Sequence, residues 1–304
     1  MSSPLHRVEW EITRACSLRC AHCHVTPQVA RDAELSPAEA RRAARALAAA
    51  GAQVVSLSGG EPTLRTDWID LVAELAGAWV RPVLVTNGQH LDAAVARRAA
   101  AAGLVGAWVS LDGRPDTHDR IRRQPGAFQR AMAATRALQD AGVPVGWITT
   151  ALRPNLADLP WLAGRAADAG LAAWQVWLGL PRFRSPLWLG PEAVPGLLRT
   201  LLALRETYPG ILLGDNLGYG GPGEALRHHD VSLQDQPAPE AFTGCHAGHG
   251  MAGLRSDGSL VGCLALGDAP VGTLLTTPWD ELSRRSEAAW AQRQRSLADR
   301  KSVV

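Results

Sequence analysis

The chain has 304 residues, 46% of them hydrophobic, and a formal net charge of +2. That length accommodates one large domain or one domain with an appendage, the apolar share suffices for a core, and the near-neutral balance gives no pull toward nucleic acid. Lys301 is the only lysine, which argues against a lysine Schiff-base mechanism.

In chain order, Met1-Ser2-Ser3-Pro4 leads almost at once into the alternating stretch Val8–Ile12, read as a first strand. With no signal peptide and no apolar run long enough to span a bilayer, the expectation is a cytoplasmic protein with no membrane partner. Thiols stay reduced there, so the five cysteines suggest metal or catalysis rather than disulfides. Three of them, Cys16, Cys20 and Cys23, follow the first strand within eight residues, spaced C-x3-C-x2-C. Three thiolates on one short loop suit an iron–sulfur cluster, and a four-iron cube held by three cysteines keeps one iron open for a small molecule. Two other readings stay open from these residues alone. A structural zinc is one, with His22 or His24 as fourth ligand; buried thiols acting as small hydrophobes are the other.

After a polar loop, Ser36, Pro37 and Glu39 form a capping box that starts a helix running to Ala50 and closed by Gly51. A strand over Gln53–Leu57 ends at Ser58-Gly59-Gly60-Glu61-Pro62. Asp67 opens a helix carrying Trp68, Leu71, Val72 and Leu75 on one face. The strand Pro82–Thr86 ends at Asn87-Gly88; an alanine-rich helix over 91–102 follows, then a strand over Gly106–Leu111 that ends at Asp112-Gly113. Gly126–Ala141 is a helix, Val145–Ala151 a strand ending near Asn155, Leu159–Ala169 a helix, Ala173–Leu178 a sixth strand, and 192–207 a further helix.

Six β-α units with mostly apolar strands predict a parallel α/β sheet, a partial (β/α)6 TIM-like barrel over residues 5–208. The unusual clusters all lie after strands, where such folds carry their chemistry. The composition shifts near residue 209: Pro209–Glu224 reads as a glycine-rich loop and His228–Pro239 as linker. Beyond them Asp257-Gly258 marks a hairpin between Gly250–Arg255 and Leu260–Leu264, and a last helix spans Pro278–Arg295. Residues 209–304 are thus expected to form a small hairpin-and-helix extension. Most of the eleven tryptophans are expected in the core or lining a pocket.

The cysteine spacing, followed one strand later by Gly59-Gly60-Glu61-Pro62, resembles the signature of radical S-adenosylmethionine (radical SAM) enzymes. Ser110-Leu111-Asp112-Gly113, His118-Asp119-x-x-Arg122 and Gly126-x-Phe128 resemble a run common in the peptide-modifying branch of that superfamily. The resemblance covers residues 8 to about 180 and implies a [4Fe-4S] cluster on Cys16, Cys20 and Cys23 with S-adenosyl-L-methionine at the open iron. Ser58, Gly59, Gly60 and Glu61 would meet the cofactor's ammonium group, the glycines allowing close backbone approach. Ser110 would contact its ribose, with Asp112 beside it in the same cofactor-binding run, and Arg122 would pair with its carboxylate through the guanidinium fork. Asn155 would lie near adenine and ribose, with Thr86 and Asn87 lining the same pocket. The implied chemistry is reductive cleavage to methionine and a 5′-deoxyadenosyl radical, which takes hydrogen from a substrate; the cofactor carries the hard step and the protein positions it.

Cys245 and Cys263 fit C-x12-G-x4-C, similar to the start of the SPASM/twitch extension that holds auxiliary iron–sulfur clusters. The family continues with further cysteines, and this chain has none after Cys263. Two cysteines under-determine a site: an auxiliary cluster completed by His246, His249, Asp268 or an outside ligand, a zinc site, and a metal-free scaffold all stay open. Asp215 and Tyr219 are candidates for proton acceptor or hydrogen-bond partner, and Gln175, Trp177, Arg182 and Arg184 lie at the expected substrate rim. The expected substrate is a ribosomally made peptide, with small-molecule or cofactor biosynthesis as the rival and a non-catalytic scaffold for a full-length enzyme as the third possibility. Expected partners are a reductase or flavodoxin-type electron donor and, because the first strand begins so early, a separate leader-peptide-recognition protein.

Overall fold

The structure, a computed structural model, describes residues 5–23, 30–179, 186–214, 247–248, 250–265 and 269–289. Strands β1 (Arg7–Thr13), β2 (Val54–Gly59), β3 (Arg81–Thr86), β4 (Gly106–Ser110), β5 (Val145–Ala151) and β6 (Ala173–Leu178) alternate with helices. The helices are α1 (Pro37–Ala49), α2 (Trp68–Gly77), α3 (Ala93–Ala101), α4 (Pro115–Arg122), α5 (Ala127–Asp140), α6 (Leu159–Asp168) and α7 (Val194–Leu204). Four further strands are short: β7 (Ile211–Leu213), β8 (Met251–Leu254), β9 (Ser259–Val261) and β10 (Gly272–Thr273). Residues 279–289 are helical.

Two compact units divide the chain: Met1–Ala15, Val29–Val83 and Cys245–Val304 form the first, and Cys16–Gln28 with Leu84–Gly244 form the second. In the first, the strand order is β10-β9-β8-β1-β2. β1 runs parallel to both β2 and β8, and β9 is antiparallel to both β8 and β10. In the second, β4-β5-β6-β7 are all parallel. The division falls within β3.

The local reasons are those the residue pattern supplies. Ser36 Oγ accepts from Glu39 N–H and the Glu39 carboxylate accepts from Ser36 N–H at 3.0 Å, a reciprocal cap that satisfies two otherwise open donors of the first turn. The helix then buries Ala40, Ala43, Ala44 and Leu47, the inward stripe of a 3.6-residue period. α2 buries Trp68, Leu71, Val72 and Leu75. In the second unit Trp147 and Trp174 are fully buried, and their indole N–H groups donate to Thr135 and Thr149 at 3.1 and 2.8 Å. Trp79 stands apart at 95% exposed. Among the described residues, no helix is long and apolar enough to cross a membrane.

Several elements depart from the sequence reading. Pro115–Arg122 is helical although its apolar period is poor: its buried residues are Thr117, His118, Ile121 and Arg122, mostly polar. Ile211–Leu213, within the stretch read as loop from Pro209, pairs with β6 as a seventh parallel strand. Three residues are too few to carry a period, and only the neighbouring strand fixes their state. The helix expected over 192–207 is shorter, a 3-10 turn at Pro191–Ala193 followed by α7. Of the last predicted helix, residues 290–295 lie outside the described residues.

Candidate functional site

The second unit holds the cysteine loop. Cys16, Cys20 and Cys23 are half-buried thiols, none in a disulfide. Ala21 N–H donates to the Ile121 carbonyl at 2.8 Å, which docks the loop on α4. Two sulfurs receive N–H donors: Leu18 N–H at 3.4 Å and the Asn87 amide at 3.7 Å reach Cys16 Sγ, and Arg122 Nη1 lies 3.8 Å from Cys20 Sγ.

Behind the loop is a buried polar knot. Asp112 has no exposed surface; its Oδ2 accepts from Arg122 Nε at 2.7 Å and its Oδ1 from Thr150 N–H at 3.0 Å. Burial pushes the Asp112 carboxyl up, but the Arg122 charge, His22, His118 and the Thr150 N–H outweigh this and bring it down to about 2. Burial also works against the Arg122 charge, and Asp112 and Cys20 overcome it, holding the guanidinium protonated. Burial raises the Cys20 thiol, a rise that Arg122 opposes.

His118 Nδ1 accepts from Asp112 N–H at 3.0 Å, and burial with the Arg122 charge pushes His118 down to about 4, a neutral imidazole. Asn155 is fully buried and locks the loop after β5: its amide donates to the Asp112 and Thr150 carbonyls, both at 2.8 Å, and accepts from Leu152 N–H at 2.8 Å. Thr86 Oγ1 accepts from Gly88 N–H and Asn87 Oδ1 from Gln89 N–H. Ser110, at the end of β4, is partly exposed.

In the first unit, the loop after β2 is built on backbone contact. Gly59 has φ 127° and a Cβ there would sit 2.2 Å from the Thr13 carbonyl oxygen; one on Gly60 would sit 2.2 Å from that of Ala15. Gly60 and Glu61 N–H donate to the Thr13 and Ala15 carbonyls at 2.8 and 2.7 Å. The glycines therefore permit close approach to the chain's own backbone, at the residues that run into Cys16. Glu61 is fully buried and accepts from the Thr63 N–H and hydroxyl at 3.2 and 2.6 Å. Ser58 is partly exposed.

The sequence reading missed a second anchor in this unit. Glu11, nine-tenths buried on β1, accepts from Arg31 Nη2 at 2.9 Å and Ser256 Oγ at 3.1 Å, and Glu34 accepts from Arg14 and Arg31 N–H at 2.8 and 3.1 Å. The available signal was a carboxylate between Trp10 and Ile12, which are both core residues.

Cys263 is a half-buried thiol whose Sγ accepts from Ala265 N–H at 3.4 Å. Cys245, Asp215 and Tyr219 lie outside the described residues, as do Arg182, Arg184, His24, His246, His249 and Asp268. Among the described residues, no three His, Cys, Asp or Glu side chains form a group sized for a single metal ion. His22 Nε2 sits 3.8 Å from Asp112 Oδ2, an arrangement that directs it to a carboxylate.

The profile of the radical SAM superfamily matches residues 10–160. The chain belongs to the radical SAM superfamily. Within it, the chain is 36% identical over 154 residues to the Fe-coproporphyrin III synthase of Methanosarcina barkeri, covering 50% of this chain and 39% of that protein. It is 29% identical over 294 residues to the AdoMet-dependent heme synthase of Nitratidesulfovibrio vulgaris, 92% of this chain and 79% of that one. Against the mycofactocin maturase MftC of Mycolicibacterium smegmatis it is 30% identical over 227 residues, covering 70% and 56%. The chain spans about half the length of most of the curated relatives it matches first. Among solved structures, Streptococcus suis SuiB bound to precursor peptide SuiA superposes with TM-score 0.76 at 15% identity, over 93% of this chain and 65% of that one. At that identity the likeness concerns the fold alone, and it bears out the α/β partial TIM-like barrel.

Proposed function

We propose that this chain is a radical SAM enzyme whose Cys16, Cys20 and Cys23 hold a [4Fe-4S] cluster. The observation that carries the reading is the donor set: three thiols on one loop, with N–H groups of Leu18, Asn87 and Arg122 directed at two of the sulfurs. Such donors suit cluster thiolates, whose potentials they tune. His22, turned to Asp112, offers weaker support for a Cys3His zinc site. With cluster and S-adenosyl-L-methionine bound, the pair supplies a 5′-deoxyadenosyl radical for hydrogen abstraction.

The chain's own residues bind and orient. The Gly59–Gly60 backbone holds the loop after β2, and Ser58 and Ser110 present partly exposed hydroxyls at strand ends. Asp112, fully enclosed, acts by positioning Arg122 rather than by touching a ligand. Asp215 and Tyr219 remain the candidates for receiving a proton or hydrogen bond, and a flavodoxin-type protein is the proposed electron donor.

For the substrate we propose a ribosomally made peptide. The run from Ser110 to Phe128 that resembles the peptide-modifying branch folds as one piece: Asp119 accepts from Gly126 and Phe128 N–H at 2.6 and 2.8 Å and joins α4 to α5. The maturase relative adds to that reading. A tetrapyrrole is the second reading, favoured by the alignment with the heme synthase over 92% of this chain.

The test is anaerobic iron and sulfide analysis of reconstituted protein, wild type against a Cys16→Ala/Cys20→Ala/Cys23→Ala variant, followed by cleavage of S-adenosylmethionine. About four irons lost in the variant, with 5′-deoxyadenosine formed by the wild type, is the expected result. About eight falling to about four would place a second cluster at Cys245 and Cys263, and zinc at the triad would overturn the proposal. Deuterium transfer into 5′-deoxyadenosine from a labelled precursor peptide or from a labelled tetrapyrrole then separates the two substrates.

A further inference from the structure

One of the cysteine sulfurs faces a buried charge. Cys16 Sγ meets the neutral Leu18 N–H and the neutral Asn87 amide. Cys20 Sγ meets a guanidinium: Arg122 Nη1 lies 3.8 Å away, while Nε of the same group is fixed to Asp112 Oδ2 at 2.7 Å. The arrangement is over-determined. Ala21 N–H binds the Ile121 carbonyl, one residue from Arg122 and one from Cys20. Asp112 is held in turn by Thr150 N–H on one carboxylate oxygen and, through its backbone carbonyl, by Asn155. A buried guanidinium beside a sulfur stabilises negative charge there, more strongly than it would in water. The carboxylate bound to the guanidinium reduces that field without cancelling it: at Cys20 the influence of Asp112 opposes that of Arg122 and is the smaller.

We propose that Asp112 and Arg122 form a positioning pair that sets the reduction potential of the metal centre through Cys20. Arg122 raises the potential and Asp112 limits the rise. This rests on the radical SAM reading above. One electron enters from a low-potential protein reductant; Arg122 stays protonated and Asp112 ionised, so no proton moves and neither residue is oxidised or reduced. What the pair changes is the electrostatic energy of the added charge.

The two members therefore have opposite signs. An anaerobic potentiometric titration of the reconstituted protein, followed by the electron paramagnetic resonance signal of the reduced cluster, reads them directly. It is run without S-adenosylmethionine, so that a contact between Arg122 and the cofactor's carboxylate adds nothing. Arg122→Gln is expected to shift the potential downward, Asp112→Asn upward, and Arg122→Lys, which keeps the charge, to restore most of the wild-type value. A purely structural role would shift both variants the same way or neither, and either result overturns the proposal. Should Arg122→Gln fail to take up iron, Asp112→Asn decides alone: an unchanged or lowered potential refutes the pair's role. Failure of the wild type to hold about four irons on the triad would instead refute the functional reading, and the inference with it.

Discussion

The cysteine loop and the loop after β2 are fixed by different physics. The cysteine loop is docked by the Ala21 N–H bond to the Ile121 carbonyl and meets, through Cys20 Sγ and His22, a buried polar knot of Asp112, Arg122, His118 and Asn155 side chains in which each group depends on the next. The loop after β2 is held by main chain alone at its glycines, which lie against the carbonyls of residues 13–15. Low-dielectric polar knots strengthen every interaction they complete and penalise every one they leave unmet. Backbone-on-backbone contact contains no titrating group; it fails when volume is added.

The largest expected effect that separates the two comes from breaking the knot. Asp112→Ala leaves the Arg122 guanidinium buried beside a vacated carboxylate site, and loss of one partner of a buried pair costs about 3–5 kcal/mol. Chemical denaturation of the metal-free protein measures it.

The knot should also respond to pH where the glycine loop does not. His118 is neutral in the fold, lowered from 6.5 to about 4 by burial and Arg122, against the opposing pull of Asp112 and Asp119 and with a small further lowering by His22. Its contribution is full above 6.5 and is lost as pH falls toward about 4, an upper limit of about 3 kcal/mol. Melting temperature of the metal-free protein should drop across that window, and His118→Gln, which keeps an acceptor for Asp112 N–H, should flatten the drop. Asp112 acts in a lower window: its contribution is full above 3.8 and is lost as pH falls through about 2.

Next in size is Gly60→Ala. Its Cβ would meet backbone carbonyl oxygens at 2.2 and 2.4 Å, atoms that cannot rotate away, so a loss of about 1–3 kcal/mol is expected, independent of pH. The smallest effect is expected from Glu61→Gln, which retains an acceptor for the Thr63 N–H and should cost under about 1 kcal/mol in the same denaturation assay. A pH-dependent loss in Gly60→Ala, or a pH-independent one in the knot, would remove the distinction.

Much of this was readable in the residues. The capping box at Ser36 and Glu39, the apolar face of α2 and the apolar runs of β5 and β6 are local patterns, and each element formed where its pattern lay. The cysteine spacing and the glycines after β2 pointed to the superfamily that the profile match then established. α4 was not readable, because a helix that buries Thr117, His118 and Arg122 has no apolar period to detect. Neither was β7, three residues whose state the β6 ladder decides.

Sequence by itself determined the β-α order, the helix caps and the residues that mark the superfamily, because these depend on contacts within a few positions or on fixed spacing. Only the tertiary structure decided what those residues do to one another. It turned Asp112 away from solvent, set Arg122 between a carboxylate and the Cys20 sulfur, and laid Gly59 and Gly60 against the backbone of residues 13–15. Charge pairing and close packing between residues far apart in the chain are set by burial and distance, which a linear order of residues does not contain.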